Sequence, residues 1–306
     1  MNTRTDAGGR ARRYTIEGQS VAASPLEPGL YVTATPIGNL GDVTLRALAT
    51  LAAADGILCE DTRVTRRLTA HFGIATPLAA YHEHNAARAR PGILARLEAG
   101  EAIALVSDAG TPLISDPGYK LVREAREAGI AVMAVPGPSA AVAAVSIAGL
   151  PSDRFLFAGF LPARGGERRR ALERLMAVEA SIVLYEAPQR LGSLLTMLDE
   201  VAPDRELAVT RELTKRFEEV LTGAPAEVGA RLEARDGVKG EVTVVIAPPA
   251  QTGTDEPDRA AVDEALRRAL ERQSTGKAAA EVARAFGLNR RDVYARALEL
   301  KDAEEE

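Results

Sequence analysis

From residue 29 onward, short β-branched runs alternate with longer segments whose apolar residues recur at helical spacing. Residues 30–35, 56–59, 103–107 and 130–135 read as strands. Residues 44–54, with Leu45, Leu48 and Leu51 on one face behind Asp42 as N-cap, read as a helix, as do 62–72, 93–99, 119–128 and 139–148. Helices between short strands imply βαβ units and a mostly parallel sheet. The rhythm breaks at Gly149-Leu150-Pro151, and a second α/β set follows, with strands at 155–160, 182–185, 206–212 and 242–247 and helices at 168–177 and 190–201. Pro248, Pro249 and a polar run to Pro257 read as a linker, and 262–300 is helical throughout. The expected organisation is a floppy extension (1–28), two α/β domains (29–150 and 151–248), a linker (249–261) and a small helical module (262–301).

The 306 residues suffice for two domains, and 46% hydrophobic with 26% charged residues is the balance of an ordinary globular chain. The apolar stretch 140–150 is interrupted by Ser146 and Gly149, short of the roughly 18 residues a membrane span needs. Arg4, Arg10, Arg12 and Arg13 precede no apolar segment, so a secretory signal is not expected and a cytoplasmic location is. A lone cysteine, Cys59, and three histidines, His71, His82 and His84, offer no zinc framework, and no metal is expected. His82-Glu83-His84-Asn85, read as strand or loop, suits a surface or pocket rim. The net charge of −5 argues, on average, against a nucleic-acid partner.

Glycine and proline gather where strands end, in 35–42, 108–118 and 136–139. Ligands of open α/β sheets bind at the carboxyl ends of strands, and three such loops on one edge suggest one shared pocket. The dinucleotide fingerprint G-x-G-x-x-G is absent, Gly276-Lys277 lacks the rest of a Walker A loop, and Gly137-Pro138-Ser139 lacks the final glycine of a nucleophile elbow.

Thr35-Pro36-Ile37-Gly38-Asn39-Leu40, Glu60-Asp61-Thr62-Arg63, Ser107-Asp108-Ala109-Gly110-Thr111-Pro112, Ser115-Asp116-Pro117-Gly118, Tyr185-Glu186-Ala187-Pro188, Arg211-Glu212-Leu213-Thr214-Lys215 and Lys239-Gly240-Glu241 occur in that order. Together they resemble the tetrapyrrole (precorrin/diphthine) methylase superfamily, and within it the branch of ribosomal RNA small-subunit methyltransferase I. The resemblance implies two α/β domains with a cofactor cleft between them and a helix-turn-helix-like C-terminal module. It implies S-adenosylmethionine as cofactor, 2′-O-methylation of a cytidine in the decoding region of 16S rRNA (cytidine 1402) within the 30S subunit, and a homodimer. By the same analogy the cofactor touches Pro36, Gly38 and Asn39, then Asp108, Ala109, Gly110, Thr111 and Pro112, then Pro136, Gly137 and Ser139. A small-molecule tetrapyrrole methylase and a non-catalytic ribosome-assembly protein are the alternatives.

Methyl transfer to a ribose hydroxyl needs aligned atoms and an exit for a proton. Glu60, Asp61 and Asp108 are candidates for proton removal or nucleotide orientation, and Arg63 for holding a phosphate or lowering the hydroxyl pKa; Asp61 and Thr62 as a plain helix cap is the competing reading. Arg211 and Lys215 either hold phosphates or belong to an ion-pair network with Glu212, Glu218 or Glu219. Arg164, Arg168 and Arg169 open a helix as either an RNA-facing patch or a solvated face. In the tail, Asn289 caps a helix whose first turn carries Arg290 and Arg291, and residues 262–301 hold nine basic against six acidic side chains. An RNA-binding module and an αα-hairpin packed on the body both fit.

Overall fold

The computed structural model describes residues 12–114, 118–235, 237–249 and 259–305. Residues 1–249 form one compact unit and 250–306 another.

The chain enters as an antiparallel hairpin, β1 (Arg13–Ile16) and β2 (Gln19–Ala22). This corrects the expectation of a floppy extension for these residues; residues 1–11 of that extension lie outside the described ones. Glu17 and Gly18 both have positive φ, 48° and 78°, the two-residue turn whose twist matches its flanking strands. Tyr14 is buried against Leu48, Leu51, Leu68 and Phe72, and the Thr15 N–H donates to the Phe72 carbonyl at 2.7 Å.

Five parallel strands follow: β3 (Gly29–Thr33), β4 (Gly56–Cys59), β5 (Leu78–Ala80), β6 (Ala102–Leu105) and β7 (Val132–Val135), in the order β5-β4-β6-β3-β7. The helices between them are α1 (Leu45–Ala53), α2 (Thr62–His71), α3 (Glu83–Glu98), α4 (Tyr119–Glu127) and α5 (Ala140–Ile147). α1 is capped by Thr44, not Asp42: the Thr44 hydroxyl accepts the Ala47 N–H at 3.0 Å. α3 begins ten residues earlier than the apolar spacing implied and runs through Pro91. His82 is therefore its N-cap, and His84 lies in its first turn, on a helix and not on a strand or loop.

The second sheet takes β8 (Phe155–Phe160), β9 (Ser181–Glu186), β10 (Leu207–Arg211), β11 (Glu219–Gly223) and β12 (Val242–Ile246) in the order β11-β10-β12-β9-β8. Only β8 and β9 run parallel. Helices α6 (Gly165–Met176), α7 (Pro188–Val201) and α8 (Pro225–Glu233) bury Leu172, Leu194, Leu198 and Val228 with Ile182, Leu184 and Val244. The alanine-rich α5 joins the two layers. Its Ala141 and Ala144 pack with Val183, Ala208 and Val245 of the second sheet, small side chains permitting close approach.

The second unit is a three-helix module, α9 (Arg259–Leu270), α10 (Thr275–Phe286) and α11 (Arg290–Glu305), around Leu266, Ala269, Ala279, Val282, Val293 and Ala297. α10 ends on Gly287 in the left-handed region (φ 66°), and the Leu288 N–H returns to the Ala283 carbonyl at 2.9 Å. The Arg296 guanidinium meets both carboxylate oxygens of Asp263, at 2.9 and 2.7 Å, tying α11 to α9.

Candidate active site

Beyond β3, β6 and β7 the chain forms three loops bound to one another chiefly through main-chain groups. Thr35 and Gly110 exchange both backbone hydrogen bonds, at 2.9 and 3.1 Å. The Thr35 hydroxyl donates to the Ser107 carbonyl at 3.2 Å, the Ser107 hydroxyl to the Gly110 carbonyl at 3.0 Å, and the Thr111 hydroxyl to the Pro138 carbonyl at 3.0 Å. Gly110 sits at φ 81°, and a Cβ there would press on Ile37 Cγ2 at 3.1 Å.

Two cavities adjoin this frame. The first, about 360 Å³, lies between the two sheets, with Ala109, Gly110, Thr111, Ser139 and Ala140 on one side and Phe160, Tyr185, Glu186, Gly240 and Glu241 on the other. Phe160 and Tyr185 meet edge to face, their centroids 5.6 Å apart. The second, about 400 Å³, is more charged: Pro36, Gly38 and Asp108 share it with Arg67 of α2 and with Lys215 and Glu241. Asn39, Pro112, Pro136 and Gly137 line neither. Asn39 Oδ1 accepts the Gly41 N–H at 3.0 Å, and Gly137 lets its loop close on Ala34 Cβ, 3.0 Å from where a Cβ would stand. Ser115, Asp116 and Pro117 lie outside the described residues.

The acidic candidates separate. Asp108 reaches the second cavity, and its Oδ1 accepts the Asp61 N–H at 2.9 Å. Asp61 caps α2: its carboxylate accepts the Arg63 N–H at 2.8 Å and the Arg63 guanidinium at 2.6 Å. The Arg63 guanidinium, foremost through that hydrogen bond, lowers the Asp61 carboxyl to about 2, which makes it a weak base. Arg63 is 86% exposed, Glu60 is exposed, and neither they nor Asp61 line either cavity.

The basic candidates divide more sharply. Arg168 is no surface residue: it is 3% exposed and ion-paired with Glu186, whose side chain is fully buried. Glu186 Oε1 also meets Arg190 Nε at 2.9 Å and the Ala187 N–H at 2.8 Å, so Arg168 and Glu186 form a buried pair under the cleft wall, with Arg190 (34% exposed) at its edge, and Arg168 cannot reach RNA. Arg169 bonds Glu173 and Glu200 on the helix surface, whereas Arg164 is exposed at the N-cap of α6. Arg211 contacts Glu219 at 3.3 Å and the Lys239 carbonyl at 3.2 Å. Lys215 Nζ lies 2.8 Å from Glu212 and 3.1 Å from Glu241. Burial works against the Lys215 ammonium, but these two carboxylates outweigh it and hold its pKa above the ordinary value; Lys215 in turn lowers that of Glu212. In the separate C-terminal unit Arg290 and Arg291 are exposed, and Asn289 Oδ1 accepts the Arg291 N–H at 2.9 Å.

Two φ angles mark the turn that carries Lys215. Glu212 and Thr214 stand at 52° and 67°, in a region a β-branched residue rarely enters. Residue spacing alone missed Glu241, Tyr185 and Phe160 as cavity walls. For Tyr185 and Glu241 the signal lay in Tyr185-Glu186-Ala187-Pro188 and Lys239-Gly240-Glu241.

The sequence profile described as Tetrapyrrole (Corrin/Porphyrin) Methylases matches residues 29–229. The chain belongs to the tetrapyrrole methylase family. The profile described as RsmI C-terminal HTH domain matches residues 256–301 of this methylase. The methylase is 50% identical to Ribosomal RNA small subunit methyltransferase I of Mesorhizobium japonicum, over 92% of this chain and 95% of that one. It is 44% identical to the protein of that name from Escherichia coli O157:H7, over 92% and 98%. In fold it is similar to a diphthine synthase (TM-score 0.57, 16% identity, 71% of this chain and 89% of that one). A uroporphyrin-III-C-methyltransferase from Thermus thermophilus also superposes (TM-score 0.51, 23% identity, 71% and 94%).

Proposed function

We propose that this methylase uses S-adenosylmethionine to methylate the ribose 2′-hydroxyl of a cytidine in the decoding region of 16S rRNA, cytidine 1402, in the 30S subunit of the cytoplasm. One observation carries the reading: a methylase cleft with an adjoining charged cavity occurs in one chain with a helix-turn-helix-like module that exposes Arg290 and Arg291. The names of its relatives point the same way.

The first cavity fits the cofactor. It offers aromatic and small apolar walls, and its main-chain surface comes close because Gly110 carries no Cβ. Ala109, Gly110, Thr111 and Ser139 would hold the cofactor from one sheet, and Phe160, Tyr185 and Thr243 from the other. When bound, S-adenosylmethionine supplies an electrophilic methyl group on a sulfonium. Asp108, Lys215 and Glu241 face the second cavity, where they can orient a ribose and its hydroxyls, and Arg67 can meet a phosphate. Tritiated methyl transfer to 30S particles, followed by nucleoside mapping, tests the proposal: 2′-O-methylcytidine is expected, and base methylation or inert 30S overturns it.

The C-terminal module is the proposed RNA contact. Replacing Arg290 and Arg291 together by Glu should weaken 30S binding and lower the slope of log K against log salt by about 1.5, the loss of two phosphate contacts. Filter binding across a salt series checks this. A homodimer completes the reading. β8 is an edge strand, and Phe155 (45%) and Leu156 (39%), on its opposite faces, are both exposed, an edge that a second copy would cover. Phe155→Glu should yield monomers in sedimentation at concentrations where the wild type is dimeric.

A further inference from the structure

If the proposed reaction is correct, donor carbon and acceptor oxygen must meet where the two cavities adjoin. Ile37, Ala109 and Glu241 line both cavities. Among the described residues Glu241 is the one ionisable side chain that does so. Its placement is built, not incidental. The Glu241 N–H donates to Glu212 Oε1 at 2.9 Å, and its carbonyl accepts the Glu212 N–H at 2.9 Å, so its backbone is clamped to the strained turn. Gly240 makes the clamp possible: at φ 92°, a Cβ there would lie 2.4 Å from Glu212 Oε1. The side chain stays 72% exposed toward the cleft, with Oε2 3.1 Å from Lys215 Nζ.

We infer that Glu241 is the proton acceptor for the ribose hydroxyl at the junction of the two cavities and that Lys215 is the cation that orients both carboxylate and hydroxyl. The inference rests on the ribose reading above. The ribose O–H bond breaks and an O–CH₃ bond forms as the methyl–sulfur bond of S-adenosylmethionine breaks. The electron pair of that last bond stays on sulfur, turning a sulfonium into a neutral thioether, while the proton passes to the Glu241 carboxylate and from there to water. Lys215 hydrogen-bonds the oxygen as negative charge develops on it. Asp108 lines only the acceptor cavity and is a positioning residue, tied to the Asp61 N–H.

The test compares Glu241→Gln, Glu241→Asp and Asp108→Asn in the full-length chain. Single-turnover methylation of 30S particles is measured, with calorimetric binding of S-adenosylhomocysteine and filter binding of 30S as separate readouts. Glu241→Gln should lower the methylation rate about 100-fold or more. Its affinities for both ligands should stay within about threefold of wild type, Glu241→Asp should recover part of the rate, and Asp108→Asn should lose less than Glu241→Gln. A Glu241→Gln rate within threefold of wild type, or a larger loss from Asp108→Asn, overturns the assignment alone. A wild type that binds S-adenosylhomocysteine but leaves 30S ribose unmethylated overturns the ribose reading and this inference with it.

Discussion

Arg168→Ala will cost this protein about 3–5 kcal/mol of stability, read as an earlier urea transition in far-ultraviolet circular dichroism. Removing that guanidinium leaves a fully buried carboxylate, Glu186, with Arg190 as its remaining cation. The loss of attraction is only part of the cost. A buried charge stripped of a partner keeps its desolvation penalty, whereas replacing the whole group by apolar side chains of similar volume removes penalty and attraction together. Arg168→Met with Glu186→Leu should therefore lie nearer to wild type than Arg168→Ala. At temperatures where Arg168→Ala stays folded, its 30S affinity should equal that of the wild type. Arg169→Ala, which breaks exposed, solvent-screened pairs with Glu173 and Glu200, should leave the urea midpoint close to that of the wild type.

Gly38→Ala should lower methylation at least tenfold and cost about 1–3 kcal/mol in stability. Gly38 sits at φ 153°, where an L side chain is strained, and its missing Cβ is the space the Lys215 stem occupies. A methyl there would stand 2.6 Å from Lys215 Cγ and 2.7 Å from Cε. The lysine stem must swing away, taking its ammonium from Glu212 and Glu241. The first cavity is lined by neither residue, so S-adenosylhomocysteine affinity should fall far less than the rate. Equal losses in both would show that the loop as a whole had collapsed.

These two positions also mark what a chain of letters reveals. The loops beyond β3, β6 and β7 were legible because close main-chain approach demands Gly and Pro, which are visible one residue at a time. The parallel sheet was legible where apolar runs are long. β5 is three residues, two of them exposed, β11 is half-buried apart from the exposed Thr222, and the first half of α3 is devoid of large apolar residues, so none announces itself by period. The hairpin at 13–22 hid because its turn is Glu-Gly rather than Asn-Gly and its second strand is exposed. Arg168 looked like one more surface arginine among neighbours, since the carboxylate that buries it is 18 residues away. Glu241 escaped notice for the opposite reason. It reaches the junction only because β12 lies beside β10 in the second sheet and its backbone bonds to the turn that follows β10.

The mutual bonds of Thr35, Ser107, Gly110, Thr111 and Pro138 all end on a peptide carbonyl. Two of these bonds run from main chain to main chain and three need only a Ser or Thr hydroxyl, so the other side chains of the neighbouring cavity can change without unmaking the cradle. That offers a physical account of how chains 16–23% identical to this one can share its fold: the bonds that hold these loops together constrain few side chains.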